Sequence, residues 1–130
     1  EYLHHVADGD SDFASFSQWM RTCYKRNVPD AIKWAESMAT KGRELQKRFI
    51  EYSLHMVWQC MVMNYAGAEM TTLYGEEEQF AGKFAPFINE RNVEQLNEDL
   101  NTAYRDLTRN ANSKILFLDL SFRIFKLLKQ

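Results

Sequence analysis

NSKILFLDLSFRIFKLLK, residues 112–129, carries apolar side chains on two faces of one helix. At about 100° per residue, Phe117, Leu120, Ile124 and Leu127 fall in one stripe, flanked by Leu116 and Leu128. Ile115, Leu118, Phe122 and Phe125 fall in a second. Asp119, Arg123 and Lys126 form the polar strip between them. An ordinary surface helix buries one stripe. Two stripes imply a central helix, or a helix that gives one face to its own domain and the other to a partner. The expectation is a central helix, because core burial is the commoner fate of apolar surface.

The rest of the chain reads as helices around it. Ser11 suits a cap, and Phe13, Phe16, Trp19, Met20 and Cys23 follow at helical spacing, ending near Arg26 and Asn27. Pro29 fits the first turn of a second helix, with Ile32, Ala35 and Met38 as its stripe and Trp34 at the edge. Gly42 breaks it. The longest helix is expected over residues 43–64, on Leu45, Phe49, Tyr52, Met56, Cys60 and Met63, widened by Ile50, Val57 and Met61. A fourth covers about 75–84, with Glu76, Glu77 and Glu78 at its N-terminus. Pro86 separates it from a fifth built on Val93, Leu96, Leu100, Tyr104 and Leu107. Asn92 with Gln95 reads as the cap of that helix, and Asn112 or Ser113 as the cap of the last. No β alternation or internal repeat appears. The expected fold is all-α, a compact bundle of five to six helices in one domain over 11–130. Residues 1–10 read as a connector from a missing N-terminal region, since the chain begins at Glu1 and not at Met.

Composition narrows the function. Sixteen Lys and Arg against 18 Asp and Glu give a net charge of −2, which argues against a nucleic-acid binder over the whole surface. With 45% hydrophobic residues and nine Phe, six Tyr and three Trp, the core should be rich in rings. No run is apolar enough to span a bilayer, and His4, His5 and Asp8 interrupt any leader-like run. Cys23 and Cys60 fit no zinc or redox spacing; they read as buried free thiols of a cytoplasmic protein.

Catalytic motifs are missing. There is no phosphate loop, dinucleotide fingerprint or nucleophile elbow. His4 and His5 are adjacent and diverge on a helix, while His55 stands alone, so no zinc set forms. Glu69 and Glu76 to Glu78 come without the Glu-x-x-His pairs of a di-iron bundle. The expectation is no enzyme and no cofactor. Lys41, Arg43, Lys47 and Arg48 make the clearest basic cluster, a weak candidate for nucleic acid, diluted by Glu36, Glu44 and Glu51. Residues 83–93 set Phe84 and Phe87 beside Asn89, Arg91 and Asn92. This is either a structured turn or a recognition surface anchored by Arg91.

Four stretches together resemble one family: WMRTCYKRN (19–27), GRELQK (42–47), KFAPFINERNV (83–93) and NANSKILFLDL (110–120). They are similar to the C-terminal helical collar domain of delta-prime subunits of the bacterial DNA polymerase III clamp loader, of the Bacteroides type. The resemblance implies a two-domain AAA+ module ahead of this region and a collar ring of five such domains. ATP-driven motions below that ring open the sliding clamp and place it on primed DNA. The delta-prime stator role and its arginine finger belong to the AAA+ region, so neither maps to a residue here. The implied partners are the other clamp-loader subunits, with DNA and clamp reached only through the complex, and no membrane. Phe87, Asn89, Arg91, Asn92, Ile115, Leu118, Phe122 and Phe125 are the candidate subunit interface. The alternatives are a nucleic-acid module using the basic cluster, or a bundle with a small-molecule pocket among its aromatic residues.

Overall fold

A computed structural model describes the backbone of residues 2–128 and the side chains of 12–67 and 69–128. Among these residues there are six α-helices and no strand: α1 (Tyr2–Lys25), α2 (Val28–Ala39), α3 (Arg43–Ala66), α4 (Gly75–Phe84), α5 (Val93–Thr108) and α6 (Ser113–Leu127). Short 3-10 turns at Ala68–Met70 and Ala85–Phe87 flank α4. The chain is helical through Ser11, so that residue lies inside α1 and does not start it. The other boundaries follow the punctuation residues. Asn27 accepts the Asp30 N–H at 3.1 Å and starts α2. Gly67, at φ 94°, ends α3 in a conformation only glycine adopts readily. Asn112, not Ser113, caps α6 by accepting the Ile115 N–H at 3.1 Å.

The core centres on four rings from four helices. Trp19 of α1 stacks on Trp34 of α2 with centroids 4.6 Å apart. Phe49 of α3 lies 5.6 Å from Trp34, and Phe117 of α6 closes the group at 5.7 Å. Trp34 is therefore interior, not at a stripe edge. Both indole N–H groups find acceptors, as buried donors must. Trp19 donates to the Ser121 hydroxyl at 2.7 Å, and Trp34 to the Ser15 carbonyl at 3.1 Å. A second aromatic group, Phe13, Phe16, Phe80 and Phe84, joins α1 to α4.

α6 packs against α1, α2 and α5. Its first stripe is interior throughout: Phe117, Leu120, Ile124 and Leu127 are all buried. The second is graded. Ile115 is 65% exposed, Leu118 and Phe122 are half-buried, and Phe125 is buried. The helix is central at its C-terminal half and superficial at its first turn. Arg123, in the polar strip, bonds Asp119 at 2.9 Å and approaches Asp99 of α5 at 3.9 Å.

Candidate interaction surface

α3 is the helix with an uncovered apolar face. Its interior stripe includes Phe49, Ile50, Met56, Val57 and Cys60, all buried. Leu54, Trp58, Met61, Val62 and Tyr65 fall on the flank beside it at 3-4 spacing. Trp58 and Tyr65 are each 63% exposed. With Val93 and Asn97 of α5 they line an apolar groove of about 420 Å³. The two walls run antiparallel. Arg43 at the start of α3 donates to the Leu107 carbonyl near the end of α5 at 3.2 Å, while Tyr65 lines the groove with Val93 at the start of α5.

The groove adjoins the turn that the sequence singles out. A second depression runs from Met61 and Tyr65 past Pro86 and Ile88 to Asn89, Glu90 and Arg91. The Tyr65 hydroxyl donates to Glu90 at 2.5 Å, which raises the phenol above its ordinary pKa. Asn64 holds the turn from below, donating to the Ala85 and Ile88 carbonyls, each at 2.8 Å.

Three asparagines divide the work of this turn. Asn89 caps it: its side chain accepts the Arg91 N–H at 2.8 Å and the Asn92 N–H at 3.2 Å, and its carbonyl accepts Val93 N–H at 2.9 Å. That pattern belongs to an N-cap. Asn92 has helical φ and ψ and makes no side-chain cap. The expected Asn92–Gln95 capping box is absent, and Gln95 instead donates to Asp99. Asn92 is fully buried. Its amide donates to the Phe87 carbonyl at 2.8 Å and to the Leu127 carbonyl of α6 at 3.0 Å, and its oxygen accepts Asn89 N–H at 3.0 Å. Asn92 is thus a bolt between the turn and the end of α6, and not a surface group.

The candidate interface residues do not share one face. Asn89 and Arg91 border the α3 depression, with Arg91 exposed. Phe87 turns the other way, half-buried against Tyr24 at 4.8 Å and Phe84 at 6.2 Å. Ile115 lies in the cleft between α5 and α6, and Phe125 is inside.

The basic cluster disperses. Arg43 is drawn to the carboxyl end of α5, Lys47 pairs with Glu44 at 2.8 Å, and Arg48 pairs with Asp12 at 3.4 Å. Lys41 is half-buried at the turn before α3. The four cations make no continuous track along a backbone of phosphates. Cys23 and Cys60 are buried free thiols; burial pushes Cys60 up to about 12 and Cys23 further. His55 is exposed. Among the described residues no three His, Cys, Asp or Glu side chains gather as a metal set, and no helix is long and apolar enough to cross a membrane.

Sequence reasoning missed Trp58, Val62 and Tyr65 as a surface. The signal was present: an aromatic well off the interior stripe of α3, with aliphatic neighbours three and four residues away. Comparison with protein-family models, curated proteins and solved structures returns no match.

Proposed function

We propose that this chain is a non-catalytic assembly domain, a collar-type module of a bacterial DNA polymerase III clamp-loader subunit. The observation that supports assembly is the exposed Trp58–Tyr65 flank of α3 beside a core otherwise filled with rings. A large aromatic left in water on an apolar groove is the usual anchor of a protein interface. The clamp-loader part of the reading rests on the four sequence stretches quoted above. In that setting, apolar burial holds neighbouring subunits at fixed spacing while the AAA+ modules move below. DNA and the sliding clamp are reached through the complex.

The two alternatives have less support. A nucleic-acid module needs a shared cationic face, and Arg43, Lys47 and Arg48 are each tied down inside the chain. A small-molecule site needs converging polar groups, whereas the α3–α5 groove offers chiefly Asn97.

Sedimentation of the domain, alone and mixed with the cognate ATPase-type clamp-loader subunits, tests the reading. A mixed complex that forms without nucleotide supports it. Failure to associate both as this domain and within the full-length chain overturns it. Arg91→Glu should spare folding and weaken that complex; unchanged association removes Arg91 from the interface.

A further inference from the structure

We infer that the groove between α3 and α5 receives an amphipathic helix of a partner protein, apolar on one face and flanked by lysine or arginine. The inference deepens the assembly reading and rests on it for the existence of a partner. Shape supplies the first argument. Two antiparallel helices leave a straight furrow between them, into which the ridge of a third helix packs. Glu51, Trp58 and Tyr65 recur at seven-residue spacing, so they mark one line along α3. The groove takes up the last stretch of that line, from Trp58 to Ala66, about 12 Å at 1.5 Å per residue, or about two turns of a docked helix. Trp58 stands at one end of the groove and Tyr65 near the other.

Charge supplies the second argument and fixes the occupant. The furrow itself carries no ionised group: Trp58, Met61, Val62, Tyr65, Val93 and Asn97 line it. Its borders are acidic. Glu51 lies one heptad before Trp58, Glu90 bonds Tyr65 and Glu94 adjoins Val93, and all three are exposed. They outnumber the nearby cation Arg91, while Lys47 and Glu44 pair with each other at 2.8 Å and cancel. Two copies of this surface packed face to face would oppose acid with acid, which disfavours a self-dimer. A helix with basic flanks meets the border with complementary charge.

Preorganisation is the third. The bond from Tyr65 to Glu90 holds the ring at the mouth of the groove before any partner arrives, lowering the ordering cost of binding.

The test is fluorescence anisotropy with a labelled designed helix that carries Leu and Phe on one face and Lys on both flanks. It should bind, weaken as salt is raised, and lose about tenfold or more when the flanking Lys are changed to Glu. Trp58→Ala should weaken it by about 30-fold or more. Trp58 is exposed, so the variant should keep its circular dichroism; Tyr65→Ala is the second variant. No binding of the Lys helix, equal binding of the Glu helix, or indifference to both substitutions overturns the inference. So does a self-dimer that Trp58→Ala dissolves. The two readings fail separately. Peptide binding without association to clamp-loader subunits keeps the groove and removes the collar. Association that ignores Trp58→Ala keeps the collar and removes the groove.

Discussion

α3 and α6 each carry apolar residues on two faces, and the fold treats them differently. α6 lies against α1, α2 and α5, and its second stripe passes from exposed at Ile115 to buried at Phe125. α3 buries Phe49, Met56 and Cys60 of its first stripe but leaves Leu45 exposed and Tyr52 and Met63 half-buried, and the flank at Trp58 and Tyr65 stays in water. Each packs against three helices, α6 against α1, α2 and α5 and α3 against α1, α4 and α5, so the number of neighbours does not separate them. On its flank α3 has only α5 beside it, leaving a furrow. A double stripe therefore marks a helix with more apolar surface than one neighbour can cover. Whether the excess becomes core or interface depends on which sides of the helix its neighbours occupy.

The largest expected effect breaks the α6 side of this comparison. Phe117 is fully buried and touches rings from α2 and α3. Phe117→Ala should cost about 3–5 kcal/mol of unfolding free energy, measured by urea titration. Leu120→Ala, buried on the same stripe, should cost roughly 2–5 kcal/mol. A loss under about 1 kcal/mol at both positions would mean that α6 is not central. Asn92→Ala comes next, at roughly 2–4 kcal/mol, because it strands the Phe87 and Leu127 carbonyls. Asn89→Ala removes only a cap and should cost about 1 kcal/mol. If Asn89 matters more than Asn92, the division of labour in this turn is reversed.

That turn shows what a sequence exposes and what it hides. The helices were legible because burial follows side-chain period, and Phe117, Leu120, Phe49 and Leu100 all sit where the period puts them. The role of each asparagine was not. Asn89 and Asn92 are both chemically fit to cap α5. What separates them is the Leu127 carbonyl, far along the chain, which claims Asn92. The basic cluster failed for a related reason. Adjacent cations on a helix diverge, and tertiary partners such as Asp12 and the Leu107 carbonyl draw them apart. The α3 surface was legible in principle, since Trp58 lies well off the stripe centred on Phe49, Met56 and Cys60. It was hidden because Ile50, Val57 and Met61 had already widened that stripe. Among the residues proposed as an interface, only position along the chain joined Phe87 to Arg91, and the backbone turns their side chains to opposite sides.

The buried thiols give a pH test of how tightly each side is sealed. Cys60 lies on the interior face of α3, and Cys23 of α1 packs beside α6, its sulfur 3.8 Å from the Ser121 carbonyl. An unfolded thiol releases its proton near 9.0, while burial holds the folded thiols protonated well above that. The folded state thus binds more protons in this window. Stability is fully present below pH 9.0 and falls as pH rises toward about 12. The slope is about 1.4 kcal/mol per pH unit for each thiol. Urea titrations at rising pH should show it, and Cys60→Ala should remove the share of one thiol. A flat profile would mean that water reaches the sulfur atoms.

The smallest effects on stability fall on the two exposed ends of the comparison. Ile115→Ser and Trp58→Ser each alter a side chain already mostly in water, 65% and 63% exposed. Each should shift unfolding free energy by no more than about 0.5 kcal/mol. Their value lies in how they diverge in association. Ile115 stands alone at the first turn of α6, with half-buried Leu118 and Phe122 further along that stripe. A single exposed aliphatic needs no partner. Trp58 sits among Met61, Val62 and Tyr65, an array large enough to anchor one. On the proposed assembly reading, association with clamp-loader subunits, followed by sedimentation, should therefore be insensitive to Ile115→Ser and sensitive to Trp58→Ser. The opposite ranking would move the interface from α3 back to the doubly apolar α6, where the sequence first suggested it.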